Sequence, residues 1–302
     1  MNRRDFFKNT LTFSGALLSS SLLNVKPIFA NEQTLSVPDI VAVRNGEPDV
    51  MFDQGISAMG GMSSFVKKGQ TVVIKPNIGW NGEPESGANT NPILVKRIVE
   101  QCLNAGAKKV YVFDNPVASR SYKNSGIESA AKQAGATVAP GNTESYYQKV
   151  NINGANVLKS VKVHELILQS DVFINVPVLK HHGSSMLTIG MKNLMGAVWD
   201  RRFYHSNGLH ECIAEFCLFK KPDLTIVDAY RVTLRNGPSR ARPEDVILKK
   251  NLLISKDIVA IDAASAKIFG EDPQNIRHIK IAHERNIGTM MLDKLNIKKI
   301  AL

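Results

Sequence analysis

Short runs of β-branched and aliphatic residues alternate with helix-like segments along most of this sequence, and that alternation restricts the fold more than any other feature. TVVIK (71–75), KKVYVFD (108–114), DVFINV (171–176) and DLTIVD (223–228) read as buried strands. Between them lie helix signals. Asn91-Pro92 opens one helix, with the proline in its first turn; Leu94, Ile98, Val99 and Cys102 form its apolar stripe, and Gly106 lies just past its end. IVAIDAASAKIFG (258–270) is a helix closed by Gly270, IRHIKIAHERNIG (276–288) a last helix, and IKKIAL a final strand. Strands that are apolar throughout must be covered on both faces. The pattern predicts an α/β fold: a mostly parallel sheet with helices on both faces. Residues 48–66 read as a helix broken at Gly60-Gly61, 186–198 and 209–219 as helices, and VILKKNLLIS as two strand segments. Residues 140–163 are irregular, a place for a hairpin, an insertion or the boundary of a smaller lobe.

Residues 1–30 stand apart. Arg3-Arg4 precedes an apolar stretch, 9–25, diluted with Ser, Thr and Gly, and Ala30 offers a small residue for cleavage. The stretch is too short and polar for a permanent membrane span, which needs about 20 mainly apolar residues. It has the layout of a signal peptide read by the twin-arginine translocase, which implies a periplasmic protein with one α/β domain over 31–302. The alternative is a basic amphipathic start to a cytosolic chain. The formal net charge is +11; loss of residues 1–30 takes away a net +3 and leaves about +8. A basic surface favours anionic small molecules, polymers or lipid headgroups. The Lys and Arg pairs are scattered along the chain, and with export this argues against nucleic acid as a partner. Cys102, Cys212 and Cys217 show no CxxC spacing, so they read as core thiols, and no iron–sulfur cluster is expected.

Open parallel sheets bind ligands beyond the carboxyl ends of their strands, and the residues at those ends form a set. The 71–75 strand ends in Lys75, with Asn77 two residues on. The 108–114 strand ends in Asp114-Asn115, and the 223–228 strand ends in Asp228. The 171–176 strand leads into Lys180-His181-His182, followed by Gly183-Ser184-Ser185, a turn whose backbone donors suit an anion. Lys192-Asn193 interrupts an apolar stretch; on a helix, Thr188 and Lys192 would share the side facing that loop. His181, His205 and His210, with Asp228, are candidate ligands for a divalent metal, although no HxxxH or HExxH spacing occurs. His164, His278 and His283 read as peripheral, on polar helix faces. No Gly-rich dinucleotide fingerprint follows a strand.

KPNIGW, the TNP helix start, the strand ending at Asp114, VPVLKHHG, MKNLMG, IVDAY and IVAIDAASAKIFG recur in an order that resembles the domain of unknown function 362 family. The resemblance spans roughly residues 39–290. The family pattern places a lysine, a small residue and a histidine where Lys180, His181 and His182 stand, so His181 replaces the spacer. Many members carry ferredoxin-like cysteine clusters, which this chain lacks. The resemblance supports the fold and the site and leaves the reaction open. The leading expectation is an enzyme acting on a small anionic carboxylate or phosphate. Lys180, His182 and Lys192 would bind the anion or stabilise developing charge, and His182 or His210 would be the acid/base group, oriented by Asp114 or Asp228. Lys75, Asn77, Asp114, Asn115, Asn193 and Ser184 would contact substrate. The rival is a non-enzymatic metal- or cofactor-binding accessory of a periplasmic redox system.

Overall fold

The computed structural model describes residues 37–302, so the export signal expected over 1–30 lies outside the described residues. In chain order the first half comprises β1 (Ile40–Arg44), α1 (Pro48–Ala58), β2 (Thr71–Pro76), α2 (Pro92–Asn104), β3 (Lys109–Val112), α3 (Ser121–Asn124), α4 (Ile127–Gln133), β4 (Thr137–Val138), β5 (Tyr147–Asn151), β6 (Ser160–His164) and α5 (Glu165–Gln169). The second half comprises β7 (Val172–Val176), β8 (Val178–His182), β9 (Met186–Thr188), α6 (Gly190–Asn193), α7 (Arg202–Asn207), α8 (Leu209–Phe219), β10 (Leu224–Thr233), β11 (Val246–Ser255), α9 (Ile258–Phe269), α10 (Arg277–Glu284) and β12 (Ile297–Ala301).

The main sheet runs β12-β1-β11-β10-β7-β2-β3-β4. Along this path the pairings are parallel except around β11, which runs antiparallel to both β1 and β10. The sheet is therefore mixed but mostly parallel. Successive strand residues point to opposite faces, and each face has its own core. Val72, Ile74, Ile174, Ile226 and Ile254 pack with α1 and α2 on one side. Val73, Phe173, Val227 and Leu253 pack with α8, α9 and α10 on the other. This double burial is why the strands read as unbroken apolar runs. Local signals set the helix ends. The Asn91 side chain accepts from the Ile93 N–H (2.9 Å) at the start of α2, and Asp257 accepts from Val259 N (2.8 Å) and Ala260 N (3.0 Å) at the start of α9. Gly270 closes α9 at φ 112°, a left-handed conformation that favours glycine.

Several elements differ from the reading of the sequence. VILKKNLLIS is one ten-residue strand, β11. Residues 186–198 are not one helix: β9 is followed by the single turn α6 and a 3₁₀ turn over Leu194–Ala197. Thr188 therefore lies on a strand and not one helical turn below Lys192. Lys180, His181 and His182 also belong to a strand, β8, which pairs antiparallel with β9 and parallel with β10. β10 itself runs on to Thr233, so Asp228 sits within the strand and not at its end. The 140–163 stretch contains the β5–β6 hairpin, whose Val161 and Val163 share a core with α8. Residues 37–302 pack as one compact unit.

A buried carboxylate on α9 anchors the irregular segment. Asp262 accepts from Gly190 N (2.7 Å) and Met191 N (3.0 Å), holding the start of α6. Burial pushes this carboxyl up to about 7 from an ordinary 3.8. A raised folded-state value means that the group's contribution is full at low pH and is lost as pH rises through about 7. Asp262→Asn removes the titration but keeps only one acceptor oxygen, because its amide nitrogen cannot accept from the second backbone N–H. It should be less stable than the parent near pH 4, with a deficit that shrinks by roughly 2 kcal/mol or more by pH 8 as the parent loses the contribution of its protonated carboxyl, measured by urea unfolding. A stability difference that does not change with pH would refute this.

Candidate functional site

The ends of β2 and β3 meet in a buried ion pair. Lys75 Nζ lies 2.8 Å from Asp114 Oδ1, with both side chains almost wholly inaccessible. The ammonium also donates to the Pro76 carbonyl (3.0 Å) and to Asn193 Oδ1 (3.2 Å). Asp114 Oδ2 accepts from Ile78 N (2.7 Å), and Oδ1 accepts from Asn115 N (2.9 Å). Asn193, on α6, ties the frame together: its Oδ1 accepts from Asn77 Nδ2 (2.9 Å), and its Nδ2 donates to the Lys75 carbonyl (3.2 Å) and Asn175 Oδ1 (2.9 Å). Burial pushes the Lys75 ammonium down, and Asp114 opposes that shift. Such pairs persist only when further hydrogen bonds satisfy both charges, as they do here.

Over this frame opens a cavity of about 590 Å³ whose lining includes Asn77, Asp114, Asn115, Lys180, His182, Ser184, Lys192, Asn193 and His205. Lys180 reaches in from β8; its Nζ donates to Asn77 Oδ1 (2.9 Å) and to the Ala88 carbonyl. Burial first, then the nearby Lys192 charge, pushes it down to about 7. Lys192 has neither a hydrogen bond nor an ion pair among the described residues. Burial and then Arg201 bring it down to about 8. His182 Nδ1 accepts from Ser184 N (3.2 Å), so its neutral ring carries the proton on Nε2. Burial, reinforced by Lys192 and Lys180, holds this ring down at about 3, neutral at ordinary pH. His205 is exposed on α7, and burial of its ring lowers it as well.

Some expected residues fall elsewhere. Asp228 is buried beneath the start of α2, where it accepts from Asn91 N (2.7 Å) and Tyr230 N (3.0 Å). His210 does not line the cavity; its Nδ1 lies 3.2 Å from Nδ1 of His278, which is fully buried and not on a polar face. His164 is likewise buried, accepting from Leu166 N (3.2 Å) at the start of α5. His181 does not line the cavity, and its buried Nδ1 has no hydrogen-bond partner among the described residues. No group of three or more His, Cys, Asp or Glu among the described residues is placed to hold a metal ion. The three cysteines are buried and free.

Two cationic groups escaped the sequence reading. Arg201 and Arg202 both line the cavity. The Arg201 guanidinium donates to the Asn115 carbonyl (2.7 Å) and the Pro116 carbonyl (3.1 Å), neutral acceptors that fix its position without cancelling its charge. Trp80 and Gly196 also belong to the lining. No local signal marks Arg201: it becomes a site residue only because the segment after α6 folds back over Asn115.

These features define the class: an α/β protein with a cation-rich cavity beyond the carboxyl ends of β2 and β3. A family model, a domain of unknown function numbered 362, matches residues 72–267, and the chain belongs to that family. A thylakoid-associated protein of Synechocystis is 27% identical over 232 residues, covering 73% of this chain and 70% of that protein. Among solved structures, the lactate racemase apoprotein of Thermoanaerobacterium thermosaccharolyticum is similar at a TM-score of 0.46 and 10% identity, over 70% of this chain. A Thermotoga maritima protein is similar at 0.45 and 12%, over 79%. The matched regions span only 53% and 60% of those two chains.

The frame leaves no room beside it. A Cβ on Gly196 would lie 1.8 Å from Asp114 Oδ1 and 2.8 Å from Lys75 Nζ. Gly196→Ala must therefore separate a buried pair, at a cost of about 3 kcal/mol. Thermal or urea unfolding reads this directly; a variant as stable as the parent would show that the pair relaxes freely.

Proposed function

We propose that the protein is an enzyme acting on a small carboxylate or phosphate held in the cavity, and that it is exported to the periplasm by the twin-arginine route. One observation carries the ligand class. Lys180, Lys192, Arg201 and Arg202 line one cavity, and the sole carboxylate of its lining, Asp114, is already paired with Lys75. A bound anion would supply the missing counter-charge. Lys192, unpaired among the described residues, makes the first contact. Lys180, poised at about 7, exchanges a proton with substrate near neutrality. His182, neutral and protonated on Nε2, donates a hydrogen bond to negative charge as it develops. The Ser184 N–H orients His182, in place of the carboxylate expected from the sequence, because Asp114 is committed to Lys75.

The two lysines give the pH dependence. Both bind an anion as ammonium ions, so affinity is full below about 7 and declines as pH rises through about 7 and then about 8. Above those values each lysine costs about tenfold in affinity per pH unit. Calorimetric titration of inorganic phosphate and of acetate between pH 6 and pH 9 measures this. The Lys180→Ala/His182→Ala/Lys192→Ala variant should remain folded and bind neither probe; binding equal to the parent's would end the proposal.

Export rests on Arg3-Arg4 and the diluted apolar stretch behind them. Arg3→Lys with Arg4→Lys should move the protein from the periplasmic to the cytoplasmic fraction. An unchanged distribution would reject the twin-arginine route.

A further inference from the structure

A second cavity, of about 700 Å³, lies between the β5–β6 hairpin and α7. Arg201 and Arg202 line it as well as the cation-rich cavity, so the two spaces share a wall. Their chemistry differs. In the first, four cations face one carboxylate that is already paired. In the second, Glu144 and Asp200 accompany the cations, and Lys162 pairs with Glu144 at 2.5 Å. With two carboxylates against Lys149, Lys162, Arg201 and Arg202, the second cavity draws an anion less strongly than the first. It offers aromatic surface instead. Phe203, 36% exposed, and half-buried Trp199 both line it. Trp199 is held in place: its backbone N–H donates to the Lys162 carbonyl (3.0 Å), and the Tyr147 ring packs 5.3 Å from its own. Planar groups bind well against such faces, in offset or edge-on contact.

We infer that the two cavities take one ligand: an anion that carries a planar aromatic group. The anion sits among Lys180, Lys192 and Arg201, and the ring lies against Trp199 and Phe203. The inference rests on the anion-binding reading above and adds the ligand's second half. Arg201 is the pivot, since its carbonyl partners hold the guanidinium rigidly at the shared wall.

The sequence supplies its own reporters. It contains two tryptophans; Trp80 lines the first cavity and Trp199 the second. The probes are inorganic phosphate and adenosine 5′-monophosphate, in which a ribose spaces a planar base from the same anion. Calorimetry on the unaltered protein should show the nucleotide binding at least tenfold tighter than phosphate. In Trp80→Phe, where Trp199 is the sole tryptophan, the nucleotide should change the emission and phosphate should not. Phe203→Ala, on an exposed ring, should bring nucleotide affinity down toward that of phosphate and leave phosphate binding as it was. Equal affinities on the unaltered protein, with a response only from Trp80 in Trp199→Phe, would overturn the two-cavity inference and leave the anion site standing. Failure of both probes to bind would overturn the anion site too.

Discussion

The Lys75–Asp114 pair is the interaction on which the site depends. Two opposite charges at 2.8 Å, both out of reach of water, are tolerable only while every remaining donor and acceptor has a partner. Pro76, Ile78, Asn115 and Asn193 provide those partners, and each belongs to a segment that must then stay where it is. The loops after β2 and β3 are locked to each other, and α6 is locked to both through Asn193. The pair also dictates Gly196, because any side chain there would occupy the space of Asp114 Oδ1. A rigid floor is thus built from charges that cancel.

What stands above that floor does not cancel. Lys180, Lys192 and Arg201 crowd into a space where water screens poorly, and their mutual repulsion adds to the cost of burial. The protein holds them there by geometry: Lys180 by Asn77 and the Ala88 carbonyl, Arg201 by the carbonyls of Asn115 and Pro116. Burial first, and this uncompensated charge added to it, lowers the two lysines into the range where proton exchange near neutrality is easy. It also keeps His182 neutral. The proposed anion is the simplest occupant that would relieve all three effects together.

Much of the fold was readable because its strands are buried on both faces, so TVVIK, DVFINV and their companions leave no ambiguity of face. The caps at Asn91 and Gly270 and the helices over 92–104 and 258–269 follow from local chemistry in the same way. The segment 177–198 was harder. A lysine and two histidines after an apolar run look like a loop, yet β8 is a strand whose Lys180 ammonium is satisfied by Asn77 and Ala88, residues about a hundred positions upstream. Likewise the 186–193 stretch has helical spacing, but Asp262, more than seventy residues downstream, captures the N–H groups of Gly190 and Met191 and starts the turn there.

By itself the sequence determined the α/β class, the two-faced burial of the strands and the identity of the polar groups set at strand ends, because these follow from periodicity and from short-range capping. Only the tertiary structure decided which of those groups share a space. It brought Lys75, Asn77, Asp114, Asn115, Lys180, His182, Lys192 and Asn193 together, sent Asp228 to the start of α2 and His210 to His278, and added Arg201 and Arg202. The physical reason is that a buried charge or polar side chain is placed by its partner, and the partners that decide here, Asp114 for Lys75, Asn77 for Lys180, Asn91 for Asp228 and His278 for His210, lie dozens of residues away along the chain.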